Sequence, residues 1–258
     1  RLSENACINV GYGDTLSRTL NHLATMVQNP VTCISLTGGV SYYLPNGRSN
    51  IFNARLYLMP APLLASSHEM AAAMRAEASV SEIIRMAALS SFTLVGIGAM
   101  HETATIVRSG IITQNELFRL KMSGAVGDVL CHFVDENGEL IPSDIEDRLI
   151  STPLEKLRAM DNVVGLAAGT QKVEAIRAVL RGGVVSTMDG VMPPESVVTE
   201  WSSVRMPVSS GTVETETMAF SSGSAPNAVV TSTRSSAVPS VSSAMKKPPC
   251  QQVEKPIY

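Results

Sequence analysis

A short apolar run, a glycine-rich loop and then a segment with helical spacing recur, in that order, along residues 7–187. Few folds accept such a chain. Parallel strands need a crossover of a dozen or more residues, and an intervening helix supplies one. Residues 7–10 are apolar and stop at Gly11; Leu16, Leu20, Leu23 and Val27 then share one helical face over residues 15–27. Residues 31–36 lead into Thr37-Gly38-Gly39, and residues 56–59 are stopped by Pro60 and Pro62. Ser79 is placed to cap a helix carrying Val80, Ile83, Ile84 and Ala87. Residues 92–95 run as a strand into a loop at Gly96-Ile97-Gly98. Residues 113–122 read as a helix with Thr113 and Glu116 at capping-box spacing. Residues 129–134 and Leu140-Ile141 flank Asn137-Gly138, a hairpin signature. A strand at 163–167 and a helix at 172–181 closed by Gly182-Gly183 follow, and Val184 and Val185 open a last strand. The expected fold is α/β: a mainly parallel, Rossmann-like sheet with helices on both faces.

The pattern stops near residue 188. Beyond it Ser, Thr, Val and Pro dominate and the charges balance, a composition that disfavours a packed core. The chain therefore divides into a domain at 1–188 and a tail at 189–258 expected to be disordered. Ala228-Val229-Val230 has strand character, but the sequence offers it no visible partner. Lys plus Arg total 20 against 23 Asp plus Glu, for a net charge of -3. That balance argues against a large nucleic-acid footprint, which would need excess cations for phosphate. No apolar run reaches the roughly 18 residues that span a bilayer, and residues 1–9 lack the apolar stretch of a secretory signal. Cys7, Cys33, Cys131 and Cys250 show no zinc or redox spacing; the three in strand-like apolar runs, Cys7, Cys33 and Cys131, read as small core residues, and a reducing, cytoplasmic setting is expected.

In a sheet of this kind ligands sit beyond the carboxyl ends of the strands. Gly11-Tyr12-Gly13-Asp14-Thr15 opens a helix there. Its amides, the helix N-terminus and the Thr15 hydroxyl suit an anion. The loop lacks the Gly-Lys-Ser/Thr ending of a Walker A motif and the third glycine of a dinucleotide fingerprint. Gly38 and Gly39 could add donors, Asp128 could accept from sugar hydroxyls, and Lys172 could neutralise a phosphate. No catalytic, metal or cofactor site stands out. His22 and His132 have no partner at ligand spacing, and Asp144, Glu146 and Asp147 read as a solvated loop. Met70, Met74 and Met86 read as core.

Several blocks agree in order with one family. They are Gly11-Tyr12-Gly13-Asp14-Thr15-Leu16, Leu36-Thr37-Gly38-Gly39-Val40 and Met59-Pro60-Ala61-Pro62-Leu63, then Gly96-Ile97-Gly98-Ala99 and Ser109-Gly110. Gly124-Ala125-Val126-Gly127-Asp128, Phe133, Asp135-Glu136-Asn137-Gly138 and Ala167-Ala168-Gly169 with Lys172, Glu174-Ala175-Ile176 and Gly182-Gly183 complete the set. Over residues 6–187 the chain resembles the effector-binding domain of SorC-family transcriptional regulators. The resemblance implies a non-enzymatic relative of the phosphosugar isomerase fold that binds a phosphorylated sugar. Gly11, Gly13 and Thr15 would hold the phosphate with Lys172, Asp128 would meet the sugar, and Gly38 and Gly39 would line the same pocket. It also implies a cytoplasmic homo-oligomer that reaches DNA only through a helix-turn-helix. No such motif precedes Arg1, and the family's closing helix is not recognisable after residue 189, so a fragment is expected. An active phosphosugar isomerase is the alternative.

Overall fold

A computed structural model of the chain describes residues 6–26, 31–39, 54–90, 92–192 and 228–229. Its parallel strands are β1 (Cys7–Val10), β2 (Val31–Ser35), β3 (Ala54–Tyr57), β4 (Phe92–Ala99), β7 (Val163–Ala168) and β8 (Thr187–Met192). They lie in the order β3-β2-β1-β4-β7-β8, each parallel to its neighbour. The short strands β5 (Gly127–Val129) and β6 (His132–Val134) form an antiparallel hairpin on the second half of β4. β4 is thus shared. Thr93 to Gly96 pair with β7, while Ile97 to Ala99 pair with β5.

Strand alternation sends side chains to two cores. On one face Ile8, Val10, Cys33, Leu94 and Leu166 pack with Leu16 of α1 (Asp14–Met26). On the other, Ile34, Val95, Ile97 and Ala167 pack with residues of α3 (Ala78–Ala87), α7 (Leu154–Arg158) and α8 (Val173–Arg181). A third core joins the hairpin's Cys131 and Phe133 to Ile106 of α4 (Thr105–Arg108) and Leu117 and Leu120 of α5 (Gln114–Met122). Ile145 of α6 (Asp144–Arg148) closes it. The expected α/β architecture is the observed one.

The local differences have physical causes. Gly96-Ile97-Gly98 continues β4 instead of looping, because Gly96 pairs with β7 and Ile97 and Gly98 pair with β5. Residues 129–134 are not one strand, since the chain reverses at Leu130 and Cys131. Asn137-Gly138 does form a turn, but between Val134 and Leu140, with the Asp135 carboxylate accepting the amides of Asn137 and Glu139. The helix α2 (His68–Ala76), capped by Ser67, went unread. It carries the exposed Met70, which is not core. The acidic cluster at Asp144, Glu146 and Asp147 is the first turn of α6, where the dipole favours it, and not a loop. The last strand starts at Thr187, while Val184 and Val185 are buried before it. β8 runs across the boundary expected at residue 188. Its Val191 and Met192 pair antiparallel with β9 (Ala228–Val229), so the apparently unpartnered apolar stretch has a partner. The remaining tail, Val27, Val40 and Cys250 lie outside the described residues.

The capping box on α5 is present. The Thr113 hydroxyl accepts the Glu116 amide, and the Glu116 carboxylate accepts the Thr113 amide at 2.7 Å. Thr113→Ala should lower stability by about 1 kcal/mol in urea denaturation, and Thr113→Ser should restore most of it.

Candidate functional site

Strand order reverses between β1 and β4, since the chain leaves β1 to one side for β2 and returns on the other as β4. A crevice opens at such a switch point because the loops leaving the two strands diverge. Here it is a cavity of about 240 Å³. Tyr12, Gly13, Asp14, Thr15 and Leu16 line it from the β1 side, and Gly96 to Ala99 form its floor. His101, Thr103 and Thr105 stand over it, Asp128 and Leu130 come from the hairpin, and Ala168, Gln171 and Lys172 follow β7.

The β1 loop aims backbone donors into this space. The first bond inside α1 runs from the Ser17 amide to Gly13 O, at 2.9 Å. The amides of Asp14, Thr15 and Leu16 precede it and have no intrahelical acceptor. Gly13 has φ 130°, a backbone that side chains disfavour, and with Asp14, Thr15 and Leu16 it lines the cavity.

Asp128 is the hairpin's contribution. Its side chain is buried, and Oδ2 accepts the Cys131 amide at 3.3 Å. Oδ1 has no partner among the described residues. Burial pushes the carboxyl up to about 6, although the Cys131 amide and the nearby Lys172 charge favour its ionised form. Gly98 makes room for it, because a Cβ at that position would fall on Asp128 Oδ1.

The turn beside Asp128 is strained. Leu130 and Cys131 have φ 56° and 66°, so two bulky residues occupy positions where hairpins favour Asn or Gly. Their surroundings hold them there. The Cys131 amide donates to Asp128, Ser151 Oγ donates to Leu130 O at 3.2 Å, and the Tyr12 hydroxyl lies 2.6 Å from Cys131 Sγ. The Cys131 thiol is pushed well up by burial and by the Asp128 charge, so it stays neutral.

Lys172 closes a 3-10 turn, Thr170–Lys172, and caps α8. Its ammonium has no hydrogen-bond or ion-pair partner among the described residues. Burial lowers its pKa, and attraction to Asp128 and Asp14 opposes that shift.

Of the residues singled out in the sequence, Gly13, Thr15, Asp128 and Lys172 line one cavity. Gly11, Gly38 and Gly39 do not. The Gly11 amide donates to Leu94 O at 2.8 Å, and the residue packs beneath Leu130. The amides of Gly38 and Gly39 donate to Ile150 O and Ala61 O at 2.9 and 2.8 Å, leaving no donor for an anion. β2 lies on the far side of β1 from the crevice, so its loop packs on the backbone of Ala61 and Pro62. Sequence reasoning missed His101, Thr103 and Thr105. Only the polar character of the stretch after Ala99 hinted at them. His132, lacking metal partners in sequence, bridges Glu146 Oε2 at 2.9 Å and Thr152 O at 3.0 Å. Among the described residues no cluster could hold a metal ion, and no helix is long and apolar enough to cross a membrane.

Comparison with known proteins gives the family and the fold. The family Sugar-bind, a sugar-binding domain, matches residues 1–188. This chain belongs to that family. Among its relatives is the transcriptional regulator LsrR of Enterobacter sp. (strain 638), 33% identical over 181 residues, or 69% of this chain and 56% of that protein. The chain thus spans little more than half the length of that relative. A sugar-binding domain of a transcriptional repressor from Vibrio fischeri superposes with TM-score 0.61 at 25% identity, over 74% of this chain and 78% of that one. The full-length sorbitol operon regulator SorC from Klebsiella pneumoniae shares the fold, with TM-score 0.61 at 22% identity over 76% of this chain and 66% of that one.

Two outcomes check the site. The folded Asp128 value lies above that of an ordinary carboxylate, so stability gained from its proton is complete below about pH 4 and is lost as pH rises through about 6. Between pH 4 and 7, Asp128→Asn should therefore gain on the unliganded wild type by up to about 3 kcal/mol in urea melts; a flat difference contradicts a buried carboxylate. Gly38→Ala should lower the melting temperature without weakening ligand binding, because its methyl meets the backbone of Pro62 and not the cavity.

Proposed function

We propose that this chain is the effector-binding domain of a SorC-type transcriptional regulator and that its effector is a phosphorylated sugar. One observation carries the reading. A buried acceptor without a partner, Asp128 Oδ1, shares a cavity with the open amides of α1 and the ammonium of Lys172. The amides, the Thr15 hydroxyl and Lys172 form a cationic end that suits a phosphate ester. Asp128 forms an acceptor end that suits a hydroxyl. A polyol phosphate matches both ends, whereas a free sugar leaves the first unused.

Residues 1–188 carry this domain, in a cytoplasmic protein that assembles from several copies. DNA is read by a separate module, and ligand binding biases the assembly through its different affinity for the two states. We assign binding and not catalysis. A second reading, an isomerase, draws on the Asp128 carboxyl at about 6, near the value of a neutral-pH base. A coupled assay on pentose and hexosamine phosphates separates the two.

In thermal-shift measurements on the full chain, a cognate sugar phosphate at a hundredfold excess over its Kd should stabilise by about 2.7 kcal/mol. The matching free sugar should do much less. Lys172→Met should weaken binding roughly 10- to 100-fold by removing a charge-assisted contact. Failure of every sugar phosphate in a broad panel to stabilise the folded chain would reject the reading.

A further inference from the structure

One carboxylate that lines the cavity already holds a cation and a hydroxyl of the neighbouring segment. Asp14, the first residue of α1, points Oδ2 at Arg108 Nη2, 2.5 Å away, and the Thr105 hydroxyl lies 3.4 Å from the same oxygen. Asp14 also attracts the Lys172 ammonium. Arg108 and Thr105 both belong to α4, whose first residues, Thr105 and Ile106, line the cavity. Among the described residues, the α1 N-terminus and α4 are thus joined by an internal anion held by cationic and hydroxyl donors.

We propose that this contact is an exchangeable clasp: an entering phosphate takes Arg108 and Thr105 from Asp14. The proposal rests on the reading above, in which phosphate binds at the α1 amides. Three features support exchange. The clasp is exposed, with 61% of the Arg108 side chain and 58% of the Asp14 side chain accessible, so solvent weakens it. A phosphate dianion beside the Asp14 amide meets the Asp14 carboxylate as a like charge, which pushes the carboxylate away. A phosphate also offers three oxygens in a geometry that a guanidinium matches with two parallel bonds. The buried, unpartnered Asp128 Oδ1 in the same cavity marks the site as built for a ligand and not merely as a helix end.

Two consequences follow. Asp14 sets the threshold for anion entry, because it competes for the donors that the anion needs. Occupancy is also passed to α4, since the segment is held by α1 in the free protein and by the ligand in the complex. Arg108 is thus a binding residue, and Asp14 is its competitor.

A double-mutant cycle with inorganic phosphate as the probe tests the clasp. The 258-residue chain as wild type, Asp14→Asn, Arg108→Gln and the double variant are titrated with phosphate against chloride at matched ionic strength, with melting temperature as the readout. Asp14→Asn should bind phosphate roughly fivefold tighter than wild type, the fold-change of an exposed ion pair released. Arg108→Gln should bind more weakly. In the Arg108→Gln background the Asp14→Asn gain should largely vanish, because nothing remains to be released. Asp14→Ser should repeat the gain, and melts without phosphate show whether either variant disturbs α1. A gain that persists undiminished without Arg108 reports charge removal alone and overturns the clasp, as does an Asp14→Asn variant that binds no tighter than wild type. In both of those cases phosphate still binds wild type and the sugar-phosphate reading stands. Wild type that phosphate does not stabilise at all overturns the clasp, while the sugar-phosphate reading falls only if the sugar-phosphate panel fails as well.

Discussion

The parallel pairing of β1 with β4 is the constraint on which the rest depends. Asn9 lies opposite Thr93 and Val10 opposite Leu94, so β1 ends there while β4 runs on to Ala99. β2 lies on one side of that pair and β7 on the other. The chain must diverge above it, and the divergence makes the crevice. The buried Asn9 amide fixes this pair from within the sheet, donating to Thr93 Oγ1 at 2.9 Å and to Ala87 O at 2.8 Å. A slip of one residue would turn Ile8 and Val10 away from α1 and move the β1 loop off the cavity.

The crevice is chemically useful because one strand serves two sheet segments. β4 pairs with β7 through its first half and with β5 through its second. That change of partner brings the hairpin over the strand ends and drops a carboxylate into a place with little water. A buried carboxylate without hydrogen-bond donors is costly. Asp128 has one donor from the strained Leu130–Cys131 turn, a cation nearby in Lys172, and one oxygen left over. Strain in the turn, a raised carboxyl and a lowered ammonium therefore belong to one arrangement, in which the fold holds a polar site slightly unsatisfied until a ligand completes it.

Much of this was legible in residues close together along the chain. Thr113 and Glu116 announce a cap because both partners lie within one turn. Gly11 to Thr15 announces a strand-to-helix loop, and Lys172 after Ala168-Gly169 announces a second. Periodicity gave the α/β class. Its failures are local patterns overridden from outside. Gly96 to Gly98 read as a loop because glycine weakens strands, but here Gly98 is small to admit Asp128. Leu130 and Cys131 read as strand because they are apolar, yet burial forces both into a turn that local preference disfavours.

What the sequence determined by itself was the order of elements and the kind of donors each loop carries, because spacing, capping and glycine placement act over a few residues. It could not say which loops meet. Thr37-Gly38-Gly39 and Gly11-Tyr12-Gly13 both offer amides to an anion in sequence, but only the second belongs to a strand beside β4. The choice among glycine loops, the partnerless oxygen of Asp128 and the pairing of Asp14 with Arg108, a residue in another helix, were decided by tertiary structure. Strand order sets which chain segments share a crevice, and strand order is a long-range property that no local window contains.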